Sequence, residues 1–405
     1  MSAVNHIGAW SEGPVLVRVP ATSANLGPGF DVLGLALGLH DEVEVAVTPG
    51  GLSIEVSGEG AADVADADEK HLVVRAMRVG FDDLGVAQPP GLSLRCVNRI
   101  PHGRGLGSSA AAIVAGLLAA RALAGASLDP DAVLPLANEL EGHPDNVAPC
   151  LFGGLTIAWV TGYAARAIRL EPLPTVQPVA FIAPEPVSTK VARDLLPPTV
   201  PHADAARNAG RAALLVAALT ARPDALLDAS EDRLHQDYRA PAMPATHDLV
   251  GRLRAVGVPA VTSGAGPSVL AFLTGDDLQD ADLSMLDSIA RETGIQWRIS
   301  PLAVERHGAS AVPSGRTPGD ARPLSPRGPR SHNPPAASPG HLISPFPRQV
   351  GCKGMPWALS VLGWVQYLSP PCGAGACHPH VAWGVTYTCP GSGLSASPQE
   401  SIAFP

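Results

Sequence analysis

The sequence predicts two mixed α/β domains followed by a long extension of a different kind. Three observations carry this. Strand-like alternation and helix-like periodicity interleave through the first 310 residues, the same mixture restarts near Pro178, and the composition changes abruptly near Ala311. With 405 residues, 46% of them hydrophobic, the chain can bury more than one core.

The elements follow in order. PVLVRVPA from Pro14, EVEVAVT from Glu42 and LSIEVSG from Leu52 alternate apolar and polar residues, as half-buried strands do. Pro49-Gly50-Gly51 between the last two predicts a hairpin. A helix is expected over 70–84, with Leu72, Val73, Ala76, Met77 and Leu84 on one face. GLSLRCVNRIP from Gly91 is a further strand, and a strong helix former follows from Ser109 to Leu123. Asp129 as N-cap, with Pro130 at the first helical position, starts a third helix. The second block contributes strand PVAFIA from Pro178, helices from Asp204 and Leu249, and strand SVLAFLT from Ser268. A boundary near residue 170 then divides the chain into 14–170 and 171–310, with 311–405 as the extension and no internal repeat.

A net charge of −9 and 4% aromatic residues argue against a nucleic-acid partner, which would need a basic or base-stacking face. The longest apolar run before the extension, Ala110 to Ala120, stops at Arg121 and is too short for a membrane span. MSAVNHIGAWSEG carries no basic head before an apolar core, and Cys96 and Cys150 stand alone, so the expected setting is cytoplasmic. The extension is dense in proline and is expected to be disordered. Its Cys372, Cys377 and His378 match no zinc spacing, and Met355 to Leu368 is short for a bilayer and flanked by prolines. The abrupt shift also fits a change of reading frame in the gene.

Three glycine-rich stretches carry the chemistry. PHGRGLGSSAAA, Pro101 to Ala112, lacks the lysine of the familiar nucleotide loop. Gly103, Gly105 and Gly107 nevertheless allow backbone amides to converge on an anion, while Ser108, Ser109 and the first helical turn add donors and a favourable dipole. The charge a lysine would bring can come from magnesium and an arginine. PATSANLGPGFDVLGLAL, Pro20 to Leu37, adds Asn25 and Asp31, and TSGAGPSVL, Thr262 to Leu270, is another glycine turn entering a strand. Taken singly, each of the last two also reads as turn chemistry alone.

Together and in this order, the three stretches resemble the GHMP small-molecule kinases, and within them the homoserine kinases. SANLGPGFD is the most specific element, and ELEGHPDNVAPCLFGG, Glu139 to Gly154, adds a fourth. The resemblance covers roughly residues 14 to 305 and implies an α+β two-domain fold. Its N-terminal domain would be like domain 2 of ribosomal protein S5, with a left-handed crossover, and its C-terminal domain ferredoxin-like. It implies ATP-dependent phosphorylation of the side-chain hydroxyl of L-homoserine, on the route to threonine, with Mg²⁺.

The same resemblance assigns residues. Pro101, His102, Gly103, Arg104, Gly105, Leu106, Gly107, Ser108, Ser109, Ala110 and Ala111 would cradle ATP. Ser109 and Glu139 would hold Mg²⁺, with Glu141 expected to point off that helix face. Arg193 and Arg239 match the arginines that hold substrate carboxylate, for which a forked guanidinium suits, and Thr189 shares a helix face with Arg193. Asp31 and Asp145 are candidates for the ammonium, and Asn25 and His143 for other polar atoms of the substrate. Asn146 either orients the reacting groups or closes a turn with Asp145. The catalytic set is thus Asn25, Asp31, Asp145 and Asn146, with no dedicated strong base and Asp145 as a base in the competing mechanism. Expected partners are L-homoserine and ATP, without nucleic acid or membrane, and with a homodimer as candidate assembly. A GHMP kinase for another small alcohol and a non-catalytic ATP or amino-acid sensor are the alternatives.

Overall fold

Strands β1 (Val15–Ala24) and β2 (Leu33–Thr48) pair antiparallel at the centre of a seven-stranded sheet. Val15, Val17 and Val19 point into the core from one face of β1. This computed structural model describes residues 10–64, 68–162, 164–275 and 279–315. The expected hairpin between β2 and β3 (Gly51–Gly58) does not form. Strand β4 (Gly91–Asn98) lies between them, antiparallel to β2 and parallel to β3. The reason is burial: Leu92, Leu94 and Cys96 of β4 are 1% exposed and need an interior position, whereas β3 is only half-buried and suits an edge.

Helix α1 (Leu72–Asp83) connects β3 to β4 and packs against α2 (Ser108–Leu123). Alanine-rich α2 is buried on nearly every side, which its small side chains permit. Helix α3 (Pro130–Glu141) begins as expected, with Asp129 accepting the Asp131 amide at 3.2 Å. Helix α4 (Pro144–Phe152) leads into strands β5 (Leu155–Thr161) and β6 (Ala164–Leu170), a hairpin that extends the sheet from the start of β2.

The second sheet is antiparallel, with β7 (Val176–Ile182), β8 (Ala260–Thr262), β9 (Val269–Thr274) and β10 (Arg298–Pro301) in the order β10-β7-β9-β8. Between β7 and β8 run α5 (Thr189–Asp194), α6 (His202–Thr220), α7 (Leu226–Ala229), α8 (Gln236–Arg239) and α9 (Pro244–Ala255), and α10 (Asp280–Arg291) joins β9 to β10. This is the strand order of a ferredoxin-like unit. Both faces of β7 are buried, against different partners. Val179 and Phe181 join a small core with Leu249, Leu253 and Leu286, while Ala180 and Ile182 join the large core that includes the first sheet.

The chain finally returns to the first sheet. Strand β11 (Ser310–Pro313) pairs antiparallel with β1, so the extension expected from Ala311 begins later than composition suggested. Alternation over four residues is too short a signal to stand out beside the prolines that follow. The remaining expectations for the extension, including Cys372, Cys377, His378 and Met355 to Leu368, lie outside the described residues. Among the described residues no helix is long and apolar enough to cross a membrane.

Candidate active site

The loop before α2 is built with its carbonyls turned outward. Gly103 O accepts from the Val187 amide (3.0 Å), Gly105 O from Ser263 Oγ (2.6 Å) and Leu106 O from the Thr22 amide (3.1 Å). Among the described residues no protein acceptor engages the amides from Gly103 to Gly107. Gly103, Gly105 and Gly107 have φ of 64°, 74° and 72°, in the left-handed region that alternates amide direction. Close approach also requires glycine here. A Cβ on Gly105 would stand 2.2 Å from Ser263 O, and one on Gly107 1.9 Å from Thr22 Oγ1. Gly107 caps α2 without a side chain, so free amides and the positive end of the helix face one concavity.

That concavity is a cleft of about 300 Å³. It brings together Asn25, Asp31, Gly103, Gly105, Gly107, Ser108, Ser109, His143, Asp145, Asn146, Thr189, Arg193 and Arg239, all expected from sequence, and adds Glu141, Gly264 and Ala265. Several are placed by distinct contacts. Asn25 Nδ2 donates to Gly264 O and its Oδ1 accepts the Asp31 amide, both at 2.9 Å, which pins the β1–β2 loop to the 263–267 turn. Asn146 Oδ1 accepts from buried Thr22 Oγ1 at 2.8 Å. His143, directly before α4, donates from Nδ1 to Asp145 Oδ1 at 3.0 Å. That bond raises the His143 pKa against the effect of burial.

Two cations stand in different states. Arg193 donates twice to Asp31, at 2.8 and 3.2 Å, and this pairing raises its pKa. Arg239 is 2% exposed and pairs with no carboxylate among the described residues. Burial, and then Arg193 nearby, lowers its pKa. An unpaired buried guanidinium is costly unless it awaits an anion.

The magnesium expectation needs correction. Glu139 is exposed and does not line the cleft, whereas Glu141 does, and it accepts from Ser109 Oγ at 2.8 Å. Helix α3 ends at Glu141, with Gly142 as its left-handed cap, so the last turn aims Glu141 rather than Glu139 toward the loop. Burial raises the Glu141 pKa, and the Ser109 hydrogen bond only partly offsets this.

Within the ATP stretch, Arg104 is committed elsewhere. Its guanidinium donates to the carbonyls of Ala183, His102 and Pro184 at 2.6–3.0 Å, so it fastens the loop to the end of β7 and does not line the cleft. Pro101, Leu106 and Ala110 are buried beneath the loop and, like Arg104 and Glu139, do not line the cleft. His102 and Ala111 line a neighbouring cavity of about 360 Å³ with Asp41, Lys70, His71 and Asn98, which shares Ser108 and Ser109 with the cleft. Sequence reasoning missed this second cavity, since its residues come from β1, β2, α1, β4, α2 and their flanking loops and form no motif.

The comparisons with known proteins agree with one another. A family model described as the GHMP kinases N terminal domain matches residues 71–154. The chain is 57% identical to a homoserine kinase of Streptomyces avermitilis over 308 residues, which is 75% of this chain and 98% of the relative. It is 51% identical to a homoserine kinase of Clavibacter michiganensis over 310 residues, 75% and 96% of the two chains. Among solved structures, a homoserine kinase from Cytophaga hutchinsonii superposes with a TM-score of 0.65 at 26% identity, over 74% of this chain and 98% of the other.

Proposed function

The chain belongs to the homoserine kinases of the GHMP kinase family, and we propose how its cleft carries out their reaction. That reaction is the ATP-dependent phosphorylation of the side-chain hydroxyl of L-homoserine, a step in threonine biosynthesis.

The observation that carries the substrate assignment is the pairing of Asp31 with Arg193 beside unpaired Arg239. A zwitterionic amino acid offers the complement of both. Its ammonium meets Asp31 and Asp145, and its carboxylate meets Arg193 and Arg239, so charge is conserved when the internal pair opens to receive it. A forked guanidinium gives two parallel hydrogen bonds to one carboxylate. Asn25, His143 and Thr189 complete the polar contacts. The triphosphate lies against the free amides of Gly103 to Gly107 and the first turn of α2. The nucleoside occupies the adjoining cavity, where Ser108 and Ser109 belong to both spaces.

Ser109 and Glu141 suit Mg²⁺, which takes one or two hard oxygens from protein and the rest from phosphate and water. Among the described residues no three His, Cys, Asp or Glu side chains are arranged to hold a metal ion by themselves, so these two would be the protein's share. When bound, the ion supplies charge neutralisation for the phosphates. Phosphoryl transfer otherwise needs in-line positioning. Asn146, held by Thr22, orients the reacting oxygens. Asp145 is hydrogen-bonded to His143 and serves the ammonium, so no dedicated base is assigned and the hydroxyl proton leaves late, to phosphate or solvent.

Arg239→Lys tests the seat. Lysine keeps the charge and loses the fork, so KM for L-homoserine rises about 10- to 100-fold, the equivalent of one or two charge-assisted hydrogen bonds, while KM for ATP stays within about twofold. An equal rise in both constants would remove Arg239 from the substrate site.

A further inference from the structure

His235, directly before α8 and four residues from Arg239, is fully buried at 0% exposure. Its Nδ1 lies 3.1 Å from Arg239 Nη1 and its Nε2 lies 2.8 Å from Gly27 O. A guanidinium only donates and a carbonyl only accepts, so the two contacts define the tautomer. Nδ1 accepts from Arg239, and the Nε2 proton goes to Gly27. Burial favours the neutral ring, as does the Arg239 charge, although Asp232 acts in the opposite sense. Phe30 stacks on the imidazole at 5.2 Å and lies under the Arg239 guanidinium at 5.5 Å.

The donors of Arg239 can be counted. A guanidinium has five N–H groups. Nε donates to Ala192 O (3.3 Å), and Nη1 to His235 Nδ1 and to Gly264 O (3.3 Å). Only the two hydrogens of Nη2 lack an acceptor among the described residues. Gly27, at the other end of the imidazole, sits in a strained loop. Asn25, Leu26 and Asp31 have φ of 66°, 49° and 57°; Asn and Asp tolerate this region, whereas a leucine adopts it only when the surroundings enforce it. His235 at Gly27 O and Asn208 at Pro28 O (2.8 Å) supply that enforcement from the second half of the chain.

We infer that His235 is a positioning residue for the amino-acid substrate: as the Nε2–H tautomer it leaves Nη2 of Arg239 as the group offered to the carboxylate, and through Gly27 it ties that seat to the loop presenting Asn25 and Asp31 to the ammonium. The inference rests on the homoserine assignment above.

The two contacts can be separated. An asparagine amide oxygen falls where Nδ1 was, and a glutamine amide nitrogen where Nε2 was. His235→Asn therefore keeps the acceptor for Arg239, and His235→Gln keeps the donor for Gly27. In His235→Gln, KM for L-homoserine is expected to rise about tenfold, the equivalent of one hydrogen bond to a charged group, with KM for ATP within about twofold. In His235→Asn, KM for L-homoserine rises less than about threefold. Equal KM changes in the two variants, or parallel changes for ATP and homoserine, would reduce His235 to a structural role and overturn the inference.

Should either variant fail to fold, ¹⁵N spectra of histidine in the wild-type protein decide. A slowly exchanging Nε2–H ring whose Nδ1 resonance moves with L-homoserine alone supports the inference. A Nδ1–H ring, or one indifferent to homoserine, overturns it. Failure of the wild-type protein to phosphorylate homoserine would defeat the substrate assignment instead, and leaves the tautomer result standing.

Discussion

Glu139 and Glu141 are two residues apart, and on an α-helix that is a rotation of about 200°. Only one of them can face the loop, and the choice depends on where α3 stops. Asn25, Asp31, Arg193 and Arg239 were legible because each sits inside a run of residues that identifies it. Glu141 was not, because the sequence signals the start of α3 through Asp129 and Pro130 but leaves the phase of its last turn to packing. Arg104 looked like a phosphate ligand for want of any sign that three carbonyls claim it. His235 carried a signal that could have been used, its spacing of four from Arg239. Glu141→Gln is expected to raise the Mg²⁺ concentration for half-maximal rate about tenfold or more, whereas Glu139→Gln changes rate and Mg²⁺ requirement by less than about twofold. The pH dependence follows in sign. Burial raises the Glu141 pKa, and the metal takes the ionised form, so the Mg²⁺ requirement climbs as pH falls through a range above that of an ordinary carboxyl. Titrating Mg²⁺ at several pH values in wild type and Glu141→Gln measures this, and the variant loses the dependence.

Most of the elements were legible from periodicity, and the misreadings came where pairing is non-local. Pro49-Gly50-Gly51 is a sound turn signal, yet it cannot show that β4, forty residues on, takes the place beside β2. The β5–β6 hairpin and β11 were missed for other reasons: one is partly exposed, the other is four residues long. The element that matters most is the junction of the glycine loop with α2. Gly107→Ala adds a methyl 1.9 Å from Thr22 Oγ1 at a φ of 72°, so the start of α2 must shift away from β1. We expect KM for ATP to rise about tenfold or more and stability to fall by about 1–3 kcal/mol. Gly125→Ala is the control. Its φ is 66°, but nothing lies within 4 Å of the added carbon, so it should cost about 1 kcal/mol and leave both KM values unchanged. Steady-state kinetics and thermal denaturation of the two variants test this together.

At the scale of the molecule, the site depends on the chain returning to the first sheet. Glu305 accepts from His40 Nε2 at 2.8 Å and from the His307 amide at 2.8 Å, and Arg18 Nη2 donates to His40 Nδ1 at 2.9 Å. Burial works to raise the Glu305 pKa, but these bonds outweigh it and hold the carboxyl at about 2, against an ordinary 4.5. A lowered carboxyl stabilises the folded state fully above its unfolded value and loses that contribution as pH falls through its folded value. Acid unfolding should thus steepen between pH 4.5 and about 2, and Glu305→Gln should flatten that region while lowering the melting temperature at neutral pH. The composition shift near Ala311 marked this part of the chain only approximately, since β11 holds four residues past Ala309 to β1. The central claim, that this cleft phosphorylates L-homoserine, is tested most directly by ADP release from a chain ending at Gly315, which retains β11. ATP and Mg²⁺ would be supplied with L-homoserine, mevalonate, galactose or L-serine in parallel. The account predicts turnover with L-homoserine and loss of that turnover in Arg239→Lys at low substrate. Preference for another alcohol, or ATP binding without release of ADP from any of the four, would contradict it.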